Sequence, residues 1–522
     1  MQKVHIYDTT LRDGTQGGGV SFSLEDKIKI VKSLDSLGVS YIEAGNPGSN
    51  PKDSEFFETM KGFKLKNAKL VAFGSTHRVG VDVADDKNIK ELLSAETEVV
   101  TIFGKAWDFH AKEVLHATLE DNLYIIRNTV QYLKENGKEV IFDAEHFFDG
   151  YKSNQSYALD VVAAAVNAGA DTVVLCDTNG TMFPDEIPDI FEKVSQISGN
   201  ATLGVHFHND LGMAISNSII GVANGACHVQ GTANGFGERC GNADIFTIIP
   251  NLQLKRGCLC IPDNKIKSLR EISRYIYEIA NIVPNECKPY VGDNAFAHKG
   301  GMHIDAVKKN PQTFEHIRPE LVGNERKFLM SEMSGRAAVI STIKKVDSSL
   351  NKSSLETKEI LQDLKVMEKE GYQFEGAESS FEIMVQKKLG IYRPFFKLES
   401  FKVISLAPHD TGYSASAMIK IRVDGKSEIT AAEGDGPVNA LDKALRKALE
   451  RFYPEISMMR LIDFKVRVLE SKATASKVRV LIESTDGKER WNTVGVSVDI
   501  IDASWQALVD SVDYMLQKTY RK

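Results

Sequence analysis

Leu203-Gly204-Val205-His206-Phe207-His208-Asn209-Asp210 opens as a short apolar run and closes in a cluster of polar groups, and this juncture decides how the 522-residue chain is read. The run 203–207 has the length and character of a buried strand. Side chains alternate along a strand, so His206 and His208 project from one face and Phe207 from the other. Seven more runs of this kind flank it, at 4–7, 41–44, 70–73, 99–103, 140–143 and 172–176 before it and 228–231 after it. Longer amphipathic stretches separate them, which is the rhythm of a parallel sheet. The clearest stretch has Ser23 as a cap, Leu24, Ile28, Val31 and Leu34 at helical spacing, and Gly38 as its stop. Eight such repeats in about 250 residues predict an α/β protein with a (β/α)8 TIM barrel over 1–255. A doubly wound open sheet is the second choice.

Barrel enzymes carry their sites at the C-terminal ends of the strands. The unusual polar clusters of the first half fall there: Arg12-Asp13-Gly14 after the first strand, Glu145 after the fifth, Asp177-Thr178 after the sixth, the pair of histidines after the seventh, and Gly237-Glu238-Arg239-Cys240-Gly241-Asn242 after the eighth. Two imidazoles on one face, a carboxylate from Asp13 and the amide oxygen of Asn242 are a donor set for a metal that keeps positions open to substrate. Two histidines hydrogen-bonded at a strand end are the plainer alternative. Arg12 would set a permanent cation beside that metal, where an oxyanion can develop; a surface ion pair is its alternative. Glu145 follows a mostly apolar run and either moves a proton or serves as a neighbouring charge. Gly235-Phe236-Gly237 resembles a dinucleotide fingerprint but has Cys240 where the third glycine belongs.

From about 256 to 395 the strand rhythm is lost, and charged helices such as 265–279 and 354–370 predict helical linker subdomains. Here Ala297-His298-Lys299-Gly300-Gly301-Met302-His303 sets two histidines among glycines. Such a histidine is either a general base brought over the barrel or incidental in a connector. Over 396–522 an internal repeat appears: each copy has a strand, an Asp-Gly step (Asp424-Gly425, Asp486-Gly487), a second strand and a helix, predicting a duplicated α+β domain with tight hairpins.

A net charge of -7 and hydrophobic content of 42% describe an ordinary globular protein and argue against nucleic acid or an anionic membrane as partner. The chain starts without a leader-like or membrane-spanning run, which predicts a cytoplasmic address. Six cysteines without a CxxC pair predict reduced thiols.

Taken together, Asp8-Thr9-Thr10-Leu11-Arg12-Asp13-Gly14 with Gln16, the cluster 206–210 and the cluster 237–242 resemble, in type and order, the family of 2-isopropylmalate, homocitrate and citramalate synthases. The resemblance covers nearly the whole chain. It implies a divalent metal (Mn, Mg or Zn) at Asp13, His206, His208 and Asn242, with Arg12 and Glu145 near the reacting carbons and Thr178 on the 2-oxo acid carboxylate. The stretch 295–303 resembles the family's helical-subdomain loop, implying His303 as a catalytic residue near acetyl-CoA, with Asp305 at the same co-substrate. The segments 434–440 and 494–497 resemble its regulatory domain, implying isoleucine as effector and a homodimer. Within the family, 45–53 is most similar to the citramalate synthases, which implies pyruvate as acceptor, citramalate as product and a place in isoleucine biosynthesis. Thr15 stands where isopropylmalate synthases commonly carry Glu, and Asn46 where the citramalate group frequently carries Trp. Trp107, Phe147 and Phe148 are expected to narrow the acyl pocket. A 2-isopropylmalate synthase using 2-oxoisovalerate, an aldol lyase on a similar metal barrel and a non-catalytic amino-acid sensor are the competing readings.

Overall fold

The computed structural model describes residues 2–328, 343–344, 346, 350, 354–374, 377–405, 414–469, 476–487 and 489–520. They fall into two compact units, the first of 1–296 with 317–325 and the second of 297–316 with 326–522.

In the first unit, β1 (His5–Asp8), β2 (Tyr41–Glu43), β3 (Lys69–Ser75), β4 (Val99–Lys105), β5 (Glu139–Glu145), β6 (Thr172–Asp177), β7 (Thr202–Phe207) and β8 (His228–Gly231) form a closed barrel in chain order. The closure is parallel: His5 pairs with His228 and Asp8 with Gly231. That seam rules out the open sheet. Strands of such a barrel are covered on both faces, which is why consecutive apolar residues such as Val99 and Val100 are both buried. Tyr7, Val71, Val99, Ile141, Val174 and Cys176 fill the interior, while Ile6, Ile42, Ala72, Val100, Phe142 and Val173 join the core outside it. The helix Leu24–Leu37 begins at Ser23 with a reciprocal Ser23/Asp26 cap and stops at Gly38, whose φ of 94° suits glycine.

Strands β3, β4 and β5 run two residues past their expected C-terminal ends. Glu145 is therefore the last residue of β5, in register with Lys105 at the end of β4. The alternation that buries Ile141 inward carries on to Asp143 and Glu145, a signal the apolar runs alone do not contain.

At the opposite end of the barrel His228 is 1% exposed and packs on the rings of Tyr7 and Tyr41, at 5.2 and 5.6 Å between centroids. Burial, helped by nearby His5, pushes its imidazole from the ordinary 6.5 down to about 3. Between those values the unfolded chain binds a proton the folded barrel refuses. The contribution is therefore whole above pH 6.5 and is lost as pH falls. His228→Phe keeps a ring and removes a buried Nε2 that has no partner. We expect it to match or exceed wild type at pH 8 and to exceed it by about 2 kcal/mol more at pH 5. Urea denaturation at the two pH values checks this; equal acid sensitivity in both proteins would refute it.

The second unit holds the short parallel pair β9 (Ala297–His298) and β10 (Lys327–Phe328), the helices Gly301–Lys309, Leu355–Glu370 and Glu378–Lys388, and two three-stranded antiparallel sheets. The sheets are β11 (Lys397–Ser405), β12 (Ala415–Val423) and β13 (Lys426–Gly434), then β14 (Arg460–Val468), β15 (Val478–Thr485) and β16 (Arg490–Ser497). A helix follows each, Pro437–Glu450 and Ile500–Tyr520. The duplication is as expected, with one further strand at the start of each copy. The first hairpin is the tight turn: Val423 pairs with Lys426, and Asp424 and Gly425 take φ of 46° and 78°. The second is not. Thr485 pairs with Arg490 across a four-residue connection, in which the Asp486 carboxylate accepts the Glu489 N–H at 2.8 Å. Ile419, Ile421, Leu441, Leu445, Leu508 and Val512 share one core across both copies.

Candidate metal centre and active site

The loop after β1 is folded by Asp8. Its buried carboxylate accepts the Thr10 N–H at 3.0 Å, the Thr10 hydroxyl at 2.7 Å and the Ala233 N–H at 3.2 Å, tying the loop to the segment after β8. Burial outweighs these bonds and lifts the Asp8 carboxyl to about 7. The turn that results delivers Arg12 and Asp13 to the C-terminal rim.

There Asp13 meets the two histidines. His206 Nε2 is 3.2 Å and His208 Nε2 3.8 Å from Asp13 Oδ2, and all three residues are buried. Donors held about 2.0–2.2 Å from one ion stand roughly 2.8–3.6 Å apart, so the first distance fits a shared cation and the second is slightly wide. Burial alone would raise the Asp13 carboxyl, but Arg12 and His206 hold it well below the usual carboxylate range. Asn242 completes the set. Its Nδ2 lies 2.9 Å from Asp13 Oδ2 and 3.2 Å from His206 Nε2, while its buried Oδ1 has no partner. A half-turn of the amide would aim that orphaned oxygen at the same point, where a cation but not a carboxylate would welcome it. The donor chemistry fits a divalent metal.

The two histidines are held differently. His206 Nδ1 is 2.8 Å from Gln230 Oε1. A carboxamide oxygen only accepts, so Nδ1 carries a hydrogen, which leaves Nε2, facing Asp13, as the atom an ion would take. His208 Nδ1 instead lies 3.2 Å from Arg239 Nη2, a donor, so the hydrogen sits on Nε2 and this contact must be exchanged before Nε2 can bind an ion. Burial, then the neighbouring His206, push the His208 imidazole down to about 4. Arg239 itself is paired with Asp210 at 2.8 Å.

The glycine at 237 serves this site. At Gly237 φ is 156°, and a Cβ there would stand 1.8 Å from Asn242 Oδ1. Gly237→Ala is expected to displace the Asn242 amide and weaken divalent-ion binding by about the 10–100-fold typical of a lost outer partner. Manganese titration of metal-stripped protein measures it, and unchanged affinity would refute it.

Comparison with known proteins then separates this barrel from others of its shape. The HMGL-like family model matches residues 3–276, a homocitrate synthase post-HMGL domain-like model 290–371, and a LeuA allosteric (dimerisation) domain model 375–516. An (R)-citramalate synthase of Geobacter sulfurreducens is 52% identical across 99% of this chain and 98% of its own. The chain belongs to the HMGL-like family. Within that family its likeness to (R)-citramalate synthases runs the whole length: the Aquifex aeolicus protein is also 52% identical over 99% of this chain and 98% of its own, and that of Synechocystis 48% over 98% and 96%.

Among the other expected residues of this HMGL-like barrel, Arg12 is the most constrained. Its Nε donates to Glu43 Oε1 at 2.6 Å, its Nη1 is 3.5 Å from Asp13 Oδ1, and its guanidinium lies 3.7 Å from the centre of the Phe73 ring. Glu43 is itself buried and takes hydrogen bonds from the hydroxyls of Tyr7 and Thr9. Glu145 is partly buried, its side chain 24% exposed, and is paired with Lys105. The Thr178 hydroxyl oxygen accepts the His146 N–H at 2.9 Å, which leaves its own hydrogen to donate. His303 and Asp305 belong to the second unit, on the helix Gly301–Lys309. The His303 ring stacks on Phe314 at 4.0 Å, and Asp305 is paired with Lys309 at 2.7 Å. Phe147 and Phe148 are fully buried in the core outside the barrel, with Phe148 stacked on Phe207 at 5.5 Å. Trp107 is half-buried and stacks on His110 at 5.2 Å. Phe73 and Phe103, stacked at 5.4 Å, are the aromatic pair beside Arg12.

Glu43, Lys105, Asp143 and Gln230 lie outside the clusters, and Arg239, inside one, was not singled out. The signal was present for Glu43, Lys105 and Asp143: each sits two positions along its strand from an inward apolar or aromatic residue, where a charge is out of place unless the interior needs it.

Proposed function

We propose that the protein catalyses the Claisen condensation of acetyl-CoA with pyruvate and water to give (R)-citramalate and free CoA, with 2-oxoisovalerate a poorer acceptor. The observation that carries this reading is the buried Asp13, His206 and His208 triangle with the orphaned Asn242 oxygen beside it and Arg12 locked against it. Asp13, His206, His208 and Asn242 would hold a divalent ion. When bound, that ion supplies Lewis acidity to the carbonyl of the 2-oxo acid.

The chain's own groups do the rest. Thr178 donates its free hydroxyl hydrogen to the acceptor's carboxylate. His303 takes a proton from the acetyl methyl group, and the carbanion equivalent so formed attacks the pyruvate carbonyl carbon. The alkoxide grows beside Arg12, whose guanidinium is already oriented by Glu43 and Phe73 and costs no reorganisation. Glu145, tied to Lys105, keeps a charged rim that orders water for thioester hydrolysis, and Asp305 contacts acetyl-CoA. Isoleucine as an effector of the second unit, a cytoplasmic homodimer and a role in isoleucine biosynthesis belong to the same proposal. No helix among the described residues is long and apolar enough to cross a membrane.

A panel of 2-oxo acids with acetyl-CoA and thiol detection tests it. CoA release is expected to be fastest with pyruvate, with roughly 10–200-fold discrimination for each extra methylene. Faster release with 2-oxoisovalerate would make the protein an isopropylmalate synthase, and cleavage of a hydroxyacyl substrate without condensation would make it a lyase.

A further inference from the structure

Gln230 and Asp143 are buried inside the barrel, and neither is among the proposed ion donors. Gln230 Nε2 donates to Asp143 Oδ1 at 2.8 Å, and Gln230 Oε1 faces His206 Nδ1 at 2.8 Å. A carboxamide can be turned by 180° at almost no steric cost, so its own shape does not decide which end meets the histidine. Asp143 decides. Its Oδ1 accepts from Gln230 Nε2, which holds the NH2 end of Gln230 toward Asp143 and the oxygen toward His206. The oxygen in turn requires a hydrogen of His206 on Nδ1, which leaves Nε2, facing Asp13, as the ring atom open to an ion. The barrel fixes the order: Asp143 comes from β5, Gln230 from β8 and His206 from β7, all on the inward face, and Gln230 is in register with His206 on the adjoining strand.

We propose that Asp143 and Gln230 are an orienting pair that commits His206 Nδ1 and turns Nε2 toward the ion position before any ion arrives, whereas His208, held by Arg239, is set only on binding. This rests on the reading that Asp13 and His206 hold a divalent cation. Neither Asp143 nor Gln230 touches substrate; both are positioning residues.

The test uses full-length protein stripped with chelator and titrated with manganese alone, free Mn(II) being read by electron paramagnetic resonance. Gln230→Leu, which removes the acceptor, is expected to weaken binding by about 10–100-fold. Asp143→Asn leaves an amide that can satisfy Gln230 either way round, so a smaller loss is expected. Gln230→Glu alone sets two carboxylates together and is also expected to weaken binding. The double variant Gln230→Glu with Asp143→Asn reverses the donor between the two and still presents an acceptor to His206. It is expected to regain affinity within a few-fold of wild type. A merely structural pair would lower the melting temperature of stripped and loaded protein alike and show no such recovery. Wild-type affinity in Gln230→Leu, or a double variant no tighter than Gln230→Glu, overturns the proposal while leaving the ion site standing. Failure of the wild-type chain to bind manganese overturns both.

Discussion

Replacing His206 with alanine is expected to abolish stoichiometric divalent-ion binding and condensation together while leaving a folded barrel. The ring is buried and carries one of the two imidazole contacts to Asp13, and its removal leaves a cavity of imidazole size at a rim that the β7 backbone continues to support. The loss of ion affinity should exceed the roughly 10–100-fold that follows from an outer partner, because a donor is removed outright. Elemental analysis after dialysis, the 2-oxo acid assay and circular dichroism, taken on one preparation, separate this from misfolding. Retention of the ion at one per chain with activity intact would dismiss the site and favour the sensor reading. Asp13→Ala should behave alike in binding and worse in folding, since it also leaves Arg12 with one carboxylate fewer to face.

Arg12→Lys is the second large effect. A lysine can reach Glu43 but has neither the planar face that lies on Phe73 nor a second fixed donor to spare for the growing oxyanion. Loss of one such preorganised donor costs on the order of 10²–10³ in kcat, about 2.7–4 kcal/mol. We expect this loss in kcat with manganese affinity within a few-fold of wild type, which distinguishes Arg12 from the ion donors. A rise in KM for pyruvate with kcat unchanged would mean that Arg12 only binds the acceptor.

The barrel was readable because its strands announce themselves twice, by apolar runs and by the polar clusters that end them. Arg12, Asp13, His206, His208 and Asn242 were readable for the same reason: each lies in a cluster at a strand's end, and the rim gathers them. What lay deeper was hidden by that same method. Asp143 and Glu43 sit within runs that read as apolar, so their places in the interior emerge only once the inward face is known. Phe147 and Phe148 misled because two large rings next to Glu145 suggest a pocket wall, whereas the helix Phe147–Ser153 starts at once and turns both into the barrel–helix core. The second hairpin misled because an Asp-Gly step fixes a two-residue turn only when the strands register on either side of it, and β16 registers two residues later.

The seam between β1 and β8 has a further consequence for how this protein matures. Asp13 precedes almost the whole barrel in the chain and Asn242 follows it, and the two come face to face only because the last strand docks beside the first. A nascent chain emerging from the ribosome therefore holds at most a fragment of the ligand set until the eighth strand has been made and seated. Ion capture would then follow ring closure, and a captured ion, bound to groups on both sides of that joint, would act as a clasp across it.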